Sequence, residues 1–101
     1  MTKAFLEITL KISPDNRPHA GAVYSKYRQP FLSGVAGAKS KELLLRAEDV
    51  QVLHGFDTKE NAESYLGTPL FRNDVVTALK PYLSADPEIR IYECVSVLIE
   101  S

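Results

Sequence analysis

Hydrophobic and polar positions alternate one for one from Ala4 to Ile12. Leu6, Ile8, Leu10 and Ile12 fall on one side, and Phe5, Glu7, Thr9 and Lys11 on the other. A period of two predicts a β-strand with one greasy face and one mixed face. Pro14 and Pro18 in "SPDNRP" stop it, since proline cannot donate to a ladder. Pro18 also suits the first turn of a helix, with Asn16 or Arg17 near the cap. The spacing of Ala20, Val23, Tyr24 and Tyr27 then changes to that of a helix, which Pro30 is expected to end.

Two more strands follow, over about residues 36–47 and 50–56, with the turn at Glu48–Asp49. In the second of them Val50, Val52, His54 and Phe56 share a face. Gly37 marks a bulge or a close backbone approach. Asp57 and Glu60 stand at the spacing of a capping box, with Asp57 as the cap, ahead of a helix carrying Ala62, Tyr65 and Leu66 on its apolar side. Gly67 ends that helix. Thr68 and Pro69 start another, whose inner face is Phe71, Val75, Leu79 and Tyr82. The tail "SADPEIRIYECVSVLIES" is a final strand, with Ile89, Ile91, Val95 and Val97 on one side and Cys94 on the other.

The order is therefore β-α-β-β-α-β. This is a ferredoxin-like α+β arrangement, an antiparallel sheet with helices on one face. The second face is left bare, with Phe5, Val52, Phe56 and part of the last strand as its expected apolar members. An apolar sheet face without a cover marks an interaction surface, and two copies packed face to face would bury it.

Composition narrows the class further. With 101 residues the chain reads as one domain, 1–101, and a formal charge of −1 with mixed signs offers no basic stripe for nucleic acid. A lone cysteine, Cys94, points weakly to a reducing compartment. "MTKAFLEITLKI" lacks the continuous apolar centre of a signal peptide, and no run reaches the length of a membrane span. A soluble cytoplasmic chain is expected.

The stretch "SGVAGAKSKELLLRAEDVQVLHGFDTKENAESYLGTPLF" resembles the antibiotic-biosynthesis-monooxygenase-like proteins of the dimeric α+β barrel superfamily. The likeness rests on Gly34, Phe56, Asp57, Ala62, Tyr65 and Thr68-Pro69-Leu70-Phe71, and it covers the middle forty residues or so. It implies a homodimer whose two sheets form a barrel. It also implies a pocket inside the barrel or between each sheet and its helices. By the same resemblance the function is binding of a small aromatic or quinone-like molecule, or its oxygenation without metal or organic cofactor. The alternative is a non-catalytic dimer that binds a small hydrophobic ligand or acts in a stress response. The family's catalytic members usually carry Trp at the end of the third strand and Asn four residues earlier; here Phe56 and Val52 stand there. The haem-degrading relatives place His where this chain has Tyr65 and Leu66.

His54 is the first site candidate. A neutral imidazole facing the barrel interior can serve as a general base, and the structural reading is a histidine hydrogen-bonded across the dimer interface or to a neighbouring strand residue. Glu7 is expected to orient or charge His54 if the two share a face. Thr9, Val52, Phe56 and Tyr92 are the expected ligand contacts, with Arg90 beside Tyr92 as an interface residue. His19 is expected to be exposed, and Cys94 to be a small buried hydrophobe. His19, His54 and Cys94 lie too far apart for a compact metal motif, so no metal is expected.

Overall fold

The computed structural model describes residues 2–95. Its four strands are β1 (Ala4–Leu10), β2 (Ala38–Leu45), β3 (Val50–Phe56) and β4 (Glu88–Glu93). They form one antiparallel sheet in the order β2-β3-β1-β4. One face carries α1 (Arg17–Gly34), α2 (Lys59–Tyr65) and a π-helical turn, Leu70–Val75, that runs directly into α3 (Val76–Leu79). This is the ferredoxin-like α+β fold that the alternation predicts.

The register fixes what each strand shows to each side. Leu6 pairs with His54 and Ile8 with Val52, so these side chains lie on one face with Phe56 and Val50. That face is buried: Leu6, Val50 and Phe56 are all fully enclosed, and they join Phe31, Ala62, Tyr65, Phe71, Val75 and Leu79 in one core. Val52 and Phe56 therefore belong under the helices, not on the bare side expected for them. The bare side is made by Phe5, Glu7 and Thr9 of β1, Gln51 and Leu53 of β3, and Arg90 and Tyr92 of β4. A period of two tells which residues of one strand share a face but not how neighbouring strands register, and the pairing of Leu6 with His54 puts Phe5 and Val52 on opposite faces.

Several ends move. β1 stops at Leu10, and Ile12 forms only an isolated bridge to Leu83. β2 is shorter than residues 36–47 at both ends. α1 runs through Pro30 to Gly34, past the expected stop. An interior proline costs about 3 kcal/mol. The next residue, Phe31, is fully buried and meets Phe56 and Tyr65 edge to face. Burying a ring is worth about 1.5–3 kcal/mol and each aromatic pair adds about 0.5–1.5, so packing outweighs the local break.

The cap of α2 is Thr58, not Asp57. Thr58 is extended (φ −142°, ψ 156°) and its hydroxyl accepts from the Asn61 amide at 3.1 Å. Asp57 closes the preceding turn instead. It accepts from Asn61 Nδ2 at 2.8 Å, and its own amide donates to the Gly37 carbonyl at 2.9 Å. Gly37 has φ +77°, and a Cβ there would collide with Asp57 and Asn61. The expectation of a close backbone approach at Gly37 is met. Thr68 does act as the expected cap, accepting from the Phe71 amide at 3.3 Å and donating to the Tyr65 carbonyl at 2.7 Å.

Cys94 is exposed, contrary to the expectation of burial, because it lies just past the end of β4, an edge strand that stops at Glu93. The expected alternation onward to Val97 lies outside the described residues. No helix of the described residues is long and apolar enough to cross a membrane.

Candidate functional site

Between the sheet and the helices lies a cleft enclosing about 50 Å³. Its floor is Ile8 and Leu10 of β1, Val52 and His54 of β3, and Lys41 and Leu43 of β2. Its roof is Ala20, Val23 and Tyr24 of α1, with Phe71, Val75, Val76 and Leu79 from the π-helical turn and α3. The sequence places these walls simply. Alternate strand residues point to the helices, and the helix residues recur at three- and four-residue spacing. The π-helical turn brings Phe71 and Val75 onto the same wall, and such turns often occur at functional sites.

The lining is apolar except for Lys41, His54 and the Tyr24 hydroxyl. His54 is only 2% exposed, and its Nδ1 lies 3.0 Å from the Leu6 carbonyl. A carbonyl can only accept, so Nδ1 carries the proton and Nε2 keeps its lone pair. Phe31 meets the imidazole edge-on at 5.2 Å between ring centroids, and Tyr65 lies at 5.5 Å. Burial among these rings is the main cause of a pKa lowered to about 3, with the nearby Lys41 charge adding to it. His54 is thus a neutral hydrogen-bond acceptor at ordinary pH.

Lys41 stands directly opposite His54 across the β2–β3 ladder and is 3% exposed. Its ammonium lies 5.7 Å from the centre of the Tyr24 ring and 5.5 Å from that of Phe31. Tyr24 also donates its hydroxyl proton to the Lys41 carbonyl, which ties α1 to the strand. Burial pulls the Lys41 pKa down from 10.5 to about 8. Lys41 is not among the residues that the sequence pattern singles out. In "AKSKELLL" it shares parity with Leu43, but a lysine on an edge strand ordinarily faces solvent, so the signal was ambiguous.

Of the residues selected from sequence, His54 and Val52 line the cleft together. Phe56 lies behind it in the aromatic cluster with Phe31 and Tyr65. Glu7 does not reach His54, because it pairs with Leu53 and points to the opposite face. There it accepts from the Thr9 hydroxyl at 2.7 Å. Thr9 and Tyr92 also face away from the cleft, and Arg90 forms an exposed ion pair with Glu88 at 2.9 Å. His19 is exposed and stacks on Tyr82 at 5.0 Å. Among the described residues no group of three or more His, Cys, Asp or Glu side chains is placed to hold a metal ion.

No protein-family model matches the chain, and no curated protein matches it. Solved structures do match over nearly the full length. A protein of Caulobacter crescentus CB15 provisionally named an antibiotic biosynthesis monooxygenase superposes with a TM-score of 0.79 at 17% identity, over 94% of this chain and 92% of that one. A Deinococcus radiodurans protein with the same provisional name gives 0.77 at 16% identity, over 97% and 98%. A Nitrosomonas europaea protein, again so named, gives 0.77 at 9% identity, over 92% and 99%. At such identities the likeness is one of fold. The chain has the fold of the antibiotic-biosynthesis-monooxygenase-like proteins.

Proposed function

We propose that the chain binds a small, largely apolar molecule of aromatic or quinone-like type in the cleft between sheet and helices. The observation that carries this reading is the cleft itself, with apolar walls on every side and a few polar groups converging at one end, the usual makeup of a small-molecule site. An apolar cavity of about 150 Å³ takes up benzene, so a ring in this 50 Å³ cleft also occupies its mouth or displaces the π-helical turn. The protein works as a homodimer through the bare sheet face, where Phe5, Leu53 and Tyr92 give two copies an apolar surface to share.

Oxygenation is the second reading, favoured by the names given to the structural neighbours. An electron-rich quinol can act as its own reductant toward oxygen, so such chemistry needs no bound redox group. Within it, His54 serves as an acceptor that orients a substrate hydroxyl. Holding a full proton at pH 7 on a group whose pKa is about 3 costs about 5 kcal/mol, which makes His54 a poor general base. Binding therefore stands ahead of catalysis.

The test is calorimetric titration with hydroquinone and related small aromatics, alongside oxygen uptake. Saturable binding weakened by filling the cleft with Val52→Phe is expected, and oxygen uptake that tracks occupancy would raise the second reading above the first. Binding unchanged in Val52→Phe would place the ligand elsewhere and end the cleft proposal.

A further inference from the structure

We infer that the cleft takes its ligand by an anionic oxygen, a carboxylate or phenolate on an apolar body, and that Lys41 is the group that receives it. The inference rests on the cleft being a ligand site and goes further by naming the ligand's charge and the residue that reads it.

Lys41 sits on an edge strand, where a lysine normally turns outward; its neighbours Lys39 and Glu42 are exposed. Lys41 instead points under α1 into the cleft. Buried charges in proteins are paired, yet the ion pairs among the described residues are made by Lys11, Arg46 and Arg90. The rings of Tyr24 and Phe31 face the ammonium and offset part of its lost hydration. His54, the polar group nearest across the ladder, is neutral and cannot act as counter-ion. A second copy on the bare sheet face lies on the other side of the sheet from Lys41, so it does not bring an acid to it. Among the described residues no acid pairs with Lys41, and the place open to a negative charge beside it is the cleft, which Lys41 lines with apolar walls around it.

The pH dependence follows from the groups around Lys41. Tyr24 faces it from α1 with its hydroxyl engaged, and His54 faces it from β3. Phe71, Val75, Val76 and Leu79, which close the cleft from above, do not titrate. His54 stays neutral from pH 6 to 9, so Lys41, lowered to about 8, is the group that loses charge in that range. Affinity for an anion is level below pH 8 and falls about tenfold per unit above it.

The test is calorimetric titration of the full chain with butanoate and benzoate against their neutral counterparts, butanol and benzyl alcohol, at pH 7 and 9. The expected result is at least about tenfold tighter binding of the acids at pH 7. That preference should shrink at pH 9 and vanish in Lys41→Met. A phenol arm separates the two sources: uptake with the absorption band of phenolate at pH 7 assigns the anion to a phenol, and uptake of carboxylates alone assigns it to a carboxylic acid. Acids and alcohols binding equally in both wild type and Lys41→Met would overturn the role of Lys41 while leaving the cleft as a site. No binding of either class would overturn both. If Lys41→Met fails to fold, the comparison of acids with alcohols across pH on the wild-type chain still decides the matter.

Discussion

Lys41 and His54 carry opposite lessons about buried polar residues. Lys41 is held with a lowered pKa, so its charge costs stability at neutral pH. Lys41→Met should therefore raise stability in urea unfolding at pH 7, by on the order of 1–3 kcal/mol; a loss instead would mean that the ammonium is already satisfied in the fold. His54 is neutral when folded, whereas the unfolded chain takes up a proton near pH 6.5. The unfolded state thus binds more protons between about 6.5 and 3, and stability present above that window is lost as pH falls through it. Unfolding measured at pH 6.5 and 5 should differ by about 2 kcal/mol from this group, and His54→Leu should remove that slope. Asp49 acts lower: its carboxylate, gripped by Arg46 at 2.7 and 2.8 Å and lowered to about 2, titrates below the His54 range. At this scale the sequence disclosed half the site. His54 stood out because a histidine in an apolar alternation is conspicuous. Lys41 did not, since its burial depends on where α1 lies over the sheet, a distance in space that no local pattern encodes.

Among the elements, the turn joining α1 to β2 and the start of α2 are locked to each other. Gly37 lies at φ +77° against Asp57 and Asn61, and its carbonyl receives the Asp57 amide. Gly37→Ala combines a disfavoured left-handed backbone with a collision, and should cost about 2 kcal/mol or more in thermal unfolding. Thr58→Ala removes only a cap, and about 1 kcal/mol is expected. Equal effects would show that the turn relaxes around the added methyl group. Element order was legible because strand and helix periods differ, and Gly, Pro and Thr mark the joints. Boundaries were less so. Whether α1 passes Pro30 is decided by Phe31 reaching Phe56 and Tyr65, partners more than twenty residues away. The choice of Thr58 over Asp57 as cap turns on Asp57 being drawn to Gly37.

For the molecule as a whole, the sheet puts the proposed assembly face and the proposed ligand cleft on opposite sides. The proposed dimer uses the face with Phe5, and the cleft uses the face with His54. Phe5→Arg should therefore yield a folded monomer by light scattering, with small-ligand binding in the cleft retained. A variant that stays dimeric would move the interface elsewhere. The same division runs through single strands. Along β3, Gln51 and Leu53 look outward, while Val52 and His54 look under the helices. A saturation scan of that strand should then read as two interleaved messages, odd positions changing the company the protein keeps and even positions changing what it holds. Inserting one codon before Gln51 would transpose the two, which makes β3 a segment that tolerates point change far better than a shift of length.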